Sequence, residues 1–178
     1  FSLVSERLEL VHRGLGEMQA LAGSVGDLKK ILSNVKVRGT LGEIQLGNII
    51  DQILDSSQYE RNVRIKSSTQ EQVEFAVKIP SKNSHNSEYI YLPIDSKFPI
   101  ESYQRLLEAQ ERANQEDIAK YSKELENSIR QNARIIREKY IDPPKTTDFA
   151  IMFLPSEGLY AEVLRIPGLF ESVQREYK

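Results

Sequence analysis

The sequence contains no cysteine and only two histidines, His12 and His85, which lie far apart in the chain. The absence of cysteine excludes disulfide bonds, thiolate catalysis and cysteine-ligated zinc, and it fits a reducing compartment. We therefore expect a cytoplasmic location. Two histidines are too few for a histidine-rich metal cage. These two shortages together exclude the commonest zinc chemistries.

Long apolar runs and a strong charge bias are also missing. No run of about 18 apolar residues occurs, so we expect no membrane contact within this chain. The net charge of −2 shows no overall preference for nucleic acid, so a polyanion site must be a local patch. A length of 178 residues allows one sizeable α/β domain with an appendage. Because the chain starts without methionine and ends in a helical pattern, we interpret it as a fragment of a longer protein.

The first residues carry a helical pattern with apolar side chains at alternating spacings of four and three, from Val4 to Val25. This spacing is typical of a helical seam. It predicts that residues 1–35 are the end of a coiled coil that pairs protomers, which would make the protein a homo-oligomer. A single amphipathic helix packed on its own domain fits the pattern equally well.

A second helix is predicted to begin at Gly39 and Thr40, with Thr40 as N-cap and Glu43 completing a capping box. Its many apolar residues predict that it is mostly buried. They are Leu41, Ile44, Leu46, Ile49, Ile50, Ile53 and Leu54. Strand candidates follow at residues 62–66, 72–79 and 89–95, and the polar residues 80–87 suit a hairpin loop.

The second half of the chain is predicted to contain four helices and one strand. Pro99 stands at the favoured first turn of a helical region, which the polar residues 110–115 divide into two helices. The continuous apolar run 149–154 is typical of a central strand buried on both faces. Residues 156–165 and 168–177 have helical patterns. Residues 36–178 are thus predicted to form an α/β domain, a sheet flanked by helices.

The candidate site is the sequence Asp95-Ser96-Lys97 at the end of a strand. Residues i and i+2 of a strand share a face, so Asp95 and Lys97 project together, and Glu74 lies on the preceding strand candidate. Magnesium binds oxygen ligands, usually one or two carboxylates with water and phosphate. Glu74 and Asp95 could hold Mg²⁺ (or Mn²⁺), Lys97 could offset charge at a phosphate, and Glu43 could hold a metal-bound water.

Each of these residues also has a structural interpretation. Glu43 could only cap a helix, and Glu74 could face solvent on an edge strand. Asp95 could cap the helix that starts near Pro99. Lys97 could do no more than pair with Asp95.

Two groups of basic residues are candidates for DNA binding through phosphates. Arg61, Arg64 and Lys66 lie along the first strand candidate. The second group shares one helical face by its spacing of four and three. It consists of Arg130, Arg134 and Arg137. Exposed helices also carry such charges for solubility alone.

Three segments, residues 37–46, 89–97 and 149–157, resemble the RmuC family of bacterial DNA recombination proteins. The resemblance implies a restriction-endonuclease-like fold and metal-dependent DNA nuclease activity that limits DNA rearrangement. It also implies a long coiled coil after an N-terminal membrane anchor in the whole protein. The domain formed by residues 36–178 would then be truncated at its C-terminus. The competing interpretation is an inactive nuclease-like domain that binds DNA or protein on an oligomerising coiled coil.

The resemblance assigns roles to single residues. Glu43 matches the acid of the first core helix, and Asp95 with Lys97 matches the second half of the fold's signature, Pro-Asp followed by Asp/Glu-x-Lys. Glu74 stands where the aspartate of Pro-Asp is expected, and Val73 replaces the proline. This departure shifts the ligand by one methylene. Pro155 and Glu157 match the family's strand-end segment, with no role assigned.

Overall fold

The computed structural model describes residues 35–81 and 89–177. From Leu41 onward they belong to one compact unit. The elements run in the order α1 (Val35–Ile53), β1 (Tyr59–Val63), β2 (Val73–Pro80), β3 (Tyr89–Ser96), α2 (Ile100–Glu111), α3 (Gln115–Tyr140), β4 (Ile151–Phe153), α4 (Glu157–Arg165) and α5 (Leu169–Tyr177). The predicted coiled coil within residues 1–34 and most of the predicted hairpin loop lie outside the described residues.

The four strands form one mixed sheet in the order β1-β2-β3-β4. β2 pairs antiparallel with both β1 and β3, whereas β4 joins the outer edge of β3 in parallel. A parallel neighbour requires a crossover connection, and α2 and α3 supply it. This arrangement confirms the predicted α/β class with helices against a mixed sheet.

Local sequence signals account for the helix boundaries. The side chain of Asn114 accepts a hydrogen bond from the Asp117 amide at 3.2 Å, which caps α3. Ala113 has a positive φ of 52°, so the chain turns there between α2 and α3. The predicted break within residues 110–115 is confirmed. The Ser156 hydroxyl likewise accepts a bond from the Leu159 amide at 3.3 Å and caps α4.

The core lies on both faces of the sheet. Leu46 and Ile50 of α1 pack on one face, whereas Ile136 and Tyr140 of α3 pack on the other. A further cluster joins α2, α3, α4 and α5 around buried leucines such as Leu125. Each buried leucine or isoleucine contributes roughly 1.5–3 kcal/mol relative to exposure. The end of β3 that carries Asp95 is therefore held by helices on both faces of the sheet.

The prediction for the start and burial of α1 was wrong. The helix already includes Val35, so Thr40 lies inside it and is not an N-cap, and Glu43 completes no capping box. Of the seven apolar residues predicted to be mostly buried, only Leu46 and Ile50 are buried. Exposed fractions reach 54% at Ile44 and 72% at Ile53. One face of α1 covers the sheet, and a single covering helix cannot bury apolar residues around its whole circumference.

The predictions for two strands also need correction. β4 has three residues and, among the described strands, pairs with β3 alone, so it is not central. Phe149 and Ile151 are 43% and 42% exposed. β1 lies at Tyr59–Val63 instead of residues 62–66, and Asn62 within it has a positive φ of 53°. No helix within the described ranges is long and apolar enough to cross a membrane.

Candidate active site

The sheet brings Glu74 and Asp95 together at the same end of neighbouring strands. β2 and β3 pair antiparallel up to Phe75 opposite Ile94, and Glu74 and Asp95 are the next residues beyond this pair on the two strands. The Glu74 carboxylate reaches the backbone of Ser96, and the charge of Asp95 acts on it. β2 is flanked by β1 and β3, so Glu74 is not the solvent-facing side chain of an edge strand.

Asp95 is the most deeply buried carboxylate of this site, with 2% of its surface exposed. Lys97 Nζ lies 2.6 Å from Asp95 Oδ2 and forms an ion pair with it. Burial raises the pKa of Asp95, and the charge of Lys97 opposes this shift. α2 has Pro99 at its N-cap position and no side-chain cap, so Asp95 does not cap that helix. Asp95 therefore contacts Lys97 and makes no cap hydrogen bond to the start of α2.

Glu74 is partly buried beside Asp95. Its Oε2 accepts a hydrogen bond from the Ser96 amide at 3.0 Å. Burial raises the pKa of Glu74 to about 7, and the charges of Asp95 and Glu43 add to the rise, whereas the Ser96 amide and Lys97 oppose it. A carboxyl with this pKa is half-protonated near neutral pH, and an opposing cation would favour its charged form.

Glu43 faces the site from α1. It is exposed and lines a shallow pocket of about 160 Å³ with Ile44, Arg61, Asn62, Glu74 and Phe75. Its charge acts on Glu74 across this pocket. The three acids predicted from the sequence are therefore neighbours, contributed by one helix and two strands.

Gly42 permits this close approach of α1 to the strand ends. A Cβ at this position would lie 2.5 Å from Ser96 Oγ and 3.3 Å from Pro155 Cγ. Any larger residue would force these atoms apart. The contact gives Pro155 a packing role, while Glu157 stands in the first turn of α4, where a negative charge is favourable. Sequence reasoning missed Gly42, although a glycine inside a helix was the available signal.

β4 and α3 hold the other sides of the site. The Lys97 amide donates to the Phe153 carbonyl at 2.9 Å, so β4 fixes the backbone of Lys97. Lys139 and Tyr140 of α3 lie near Asp95. Burial raises the pKa of Asp95, and the charge of Lys139 opposes this rise. Burial raises the pKa of Tyr140 above its ordinary value, and Asp95 contributes. Neither residue was identified from the sequence.

The donor set fits magnesium or manganese better than a metal that needs a protein cage. Within residues 40–81 and 89–177, no group of three or more histidine, cysteine or acidic side chains could hold a metal ion. Mg²⁺ needs only one or two carboxylates, since water and phosphate complete its shell. Asp95 Oδ2 is buried and, apart from its ion pair, has no well-aligned hydrogen bond in the described structure. A cation bound at this oxygen would share it with the Lys97 ammonium.

Three of the six predicted DNA-binding residues are neutralised by carboxylates. Arg61 forms a bidentate pair with Asp51 at 2.8 and 3.0 Å and lies 5.0 Å from the centre of the Phe75 ring. The other two are paired along α3: Arg130 with Glu126 at 3.1 Å, and Arg134 with Glu138 at 2.8 Å. Their positive charge is largely cancelled.

The remaining three donate to main-chain carbonyls instead. Arg64 bonds the Ser67 carbonyl at 2.6 Å, Lys66 bonds that of Glu138, and Arg137 bonds that of Glu176. Lys66 and Arg137, from the two groups predicted separately, line one pocket. The structure thus divides the basic residues into paired and unneutralised sets.

Comparison with known proteins identifies the family of the chain. The model of the RmuC family matches residues 2–178. The chain belongs to the RmuC family. It is 56% identical over 178 residues to proteins named DNA recombination protein RmuC homolog from two strains of Xylella fastidiosa. The alignment covers 100% of this chain but 39% of each of these relatives. No solved structure matches the chain.

Proposed function

We propose that this RmuC-family chain carries the metal site of a DNA nuclease that acts in DNA recombination. The observation that carries the proposal is the pair of carboxylates, Glu74 and Asp95, at the same end of adjacent strands, with Lys97 2.6 Å from Asp95. The name of the relatives supports DNA as the substrate. Because the chain spans 39% of their length, the activity belongs to the whole protein.

Burial suggests how the groups divide the work. Asp95 is 2% exposed, whereas the side chain of Lys97 is 27% exposed. The buried carboxylate therefore holds a lysine side chain that is partly accessible to solvent. In this proposal Glu74 and Asp95 hold Mg²⁺ or Mn²⁺, which supplies Lewis acidity and a more acidic bound water. Lys97 offsets negative charge on the phosphate. Glu43, at the mouth of the site, orients water.

The test is a cleavage assay with the full-length protein on linear and branched DNA, with Mg²⁺ or Mn²⁺ and with chelator. Asp95→Ala and Lys97→Ala are the variants. Asp55→Ala and Lys123→Ala are matched controls, because both residues are exposed and lie outside the site. We expect metal-dependent cleavage in the wild type and the controls and none in the two site variants. Equal cleavage by wild type and site variants would overturn the proposal.

A second function, DNA binding without cleavage, is favoured by one observation. Lys97 already balances the buried negative charge of Asp95 without a metal ion. Such an ion pair would also be expected in a nuclease-like site that has lost its activity. DNA that is bound but left intact by the wild type, with either metal, would establish this function. The same assay therefore separates the two candidates.

A further inference from the structure

Three cationic side chains from distant parts of the sequence surround one pocket of about 600 Å³. Lys66 follows β1, Arg137 lies near the end of α3, and Arg175 lies near the end of α5. The other lining residues are Glu138, Ile141, Pro143, Asp148 and Tyr177. Folding thus brings together three cationic residues that no local sequence motif connects.

The positive charge of this pocket is largely uncompensated. Lys66 and Arg137 donate to the main-chain carbonyls of Glu138 and Glu176, which orient the side chains without cancelling their charge. Arg175 forms no ion pair or hydrogen bond with the rest of the described chain. The acids oppose this charge only in part. Asp148 lines the wall, but the carboxylate of Glu138 is paired with Arg134 at 2.8 Å.

Two more cations extend the basic surface beside the pocket. Lys145 donates to the Arg64 carbonyl at 3.2 Å and also to that of Ile65, while Arg64 itself bonds the Ser67 carbonyl. These contacts again involve carbonyl groups and not carboxylates. Arg64 and Lys145 therefore add positive charge beside Lys66 in the loop after β1, which favours a polyanion.

Tyr177 gives the pocket an aromatic wall. Aromatic side chains beside a basic groove are the common means of holding single-stranded nucleic acid, because an unpaired base stacks on the ring. A duplex keeps its bases stacked internally and has none to offer to Tyr177.

We propose that this pocket binds single-stranded DNA, with backbone phosphates at Lys66, Arg137 and Arg175 and one base stacked on Tyr177. The assignment rests on the proposed function for the choice of DNA, since the charge alone fits other polyanions. The pocket would hold the strand that extends from the nuclease site. Its residues are separate from Glu74, Asp95 and Lys97, so the two sites can be tested apart.

The test is a fluorescence anisotropy titration of a labelled 20-nucleotide single strand and the corresponding duplex, in chelator so that no cleavage occurs. The variants are Arg137→Gln and Arg175→Gln in the full-length protein. Arg112→Gln is the matched control, because Arg112 is an exposed arginine outside the pocket with a loose 3.8 Å pair to Glu108. Thermal melts check that every variant is folded.

We expect each pocket variant to weaken single-strand binding about five- to tenfold, and the control to change it less than about twofold. Each lost phosphate contact should also reduce the salt slope by about 0.7. Tyr177→Leu should lower the affinity for the single strand at least about fivefold, because the stacking ring is lost, and Tyr177→Phe should retain this affinity.

The outcomes separate this proposal from the nuclease proposal. If the wild type binds DNA and the pocket variants bind like Arg112→Gln, the pocket is not the DNA site, while cleavage at Asp95 is judged by its own assay. If Tyr177→Leu changes nothing and duplex binds as well as single strand, the single-strand assignment is wrong. A wild type that binds neither DNA overturns the pocket proposal, whereas the nuclease proposal still depends on the cleavage assay.

Discussion

The acidic site and the basic pocket hold charge in opposite ways. At the acidic site, Asp95 is 2% exposed and Glu74 is partly buried, so few groups act strongly on one another. At the basic pocket, Arg137 and Arg175 are exposed, so many cations act weakly and together. Burial strengthens electrostatic interaction and solvent screens it. The first region suits chemistry at one phosphate, and the second suits retention of a long polyanion.

The largest effect is expected from the most buried charge. Asp95→Asn keeps the size of the side chain but removes the carboxylate that pairs with Lys97. We expect at least about a hundredfold loss of metal-dependent cleavage, because the site loses a charged ligand and the anchor of its cation. Single-turnover cleavage rates measure this loss, with Asp55→Asn as control. If Asp95→Asn cleaves at the wild-type rate, the buried acids have no catalytic role.

The next effect concerns the fit of α1 against the strand ends. Gly42→Ala would overlap Ser96 Oγ, and we expect it to lower the free energy of unfolding by about 1 kcal/mol despite the better helix propensity of alanine. Denaturant titration measures the change. Gly47→Ala is the comparison, because its nearest contacts, 3.2 Å to Arg61 and 3.3 Å to Phe75, are longer than the 2.5 Å contact at Gly42.

A double variant sharpens this result. Gly42→Ala with Ser96→Ala removes the overlapping hydroxyl, so it should regain most of the lost stability. Additive losses in the double variant would show that Ser96 does not limit the approach of α1.

A smaller effect follows from the pKa of Glu74. Its folded value of about 7 lies above the ordinary 4.5, so the folded protein binds the proton more tightly than the unfolded chain. Stability from this group is present below about pH 4.5 and is lost as pH rises through 7. Because Glu74 is only partly buried, we expect Glu74→Gln to stabilise the chain at pH 8 in chelator by roughly 0.5–1 kcal/mol.

Thermal melts at pH 8 and pH 5 check this prediction. The gain at pH 8 should nearly vanish at pH 5, where the wild-type carboxyl is mostly protonated. An exposed acid, Glu116→Gln, provides the control. A pH-independent gain would mean that Glu74 acts through packing and not through its charge.

The smallest effect is expected from a neutralised cation. Arg130 is paired with Glu126 at 3.1 Å and lies 3.7 Å from Glu176, so its charge is already balanced. Arg130→Gln should change single-strand affinity less than about twofold and stability by less than about 0.5 kcal/mol. Anisotropy and melting measure both. A loss as large as that of Arg175→Gln would remove the distinction between paired and unneutralised cations.

The parts of this structure that could be predicted depend on local signals. The break at residues 110–115 follows from a polar interval with its own cap, and β2 and β3 follow from alternating residues about a polar loop. The meeting of Glu74 with Asp95 follows from that hairpin. The family resemblance, carried by separated segments, is confirmed over residues 2–178.

The parts that could not be predicted depend on distant packing. The apolar residues of α1 do not reveal that Ile44 and Ile53 stay exposed, and the run at residues 149–154 does not reveal that β4 has one neighbour among the described strands. Gly42 acquires its role from Ser96 and Pro155, and Arg175 from Lys66 and Arg137, all of them distant in sequence. Periodicity carries no information about such partners.

The bond from the Lys97 amide to the Phe153 carbonyl has a consequence for the order in which the site forms during synthesis. Glu74 and Asp95 belong to a hairpin that a ribosome completes early. The strand that fixes Lys97 arrives only after α2 and α3 have been made. A nascent chain that ends at Tyr140 therefore contains Glu74 and Asp95 but lacks β4, the strand that binds the backbone of Lys97. The acidic site matures only after the crossover has docked β4.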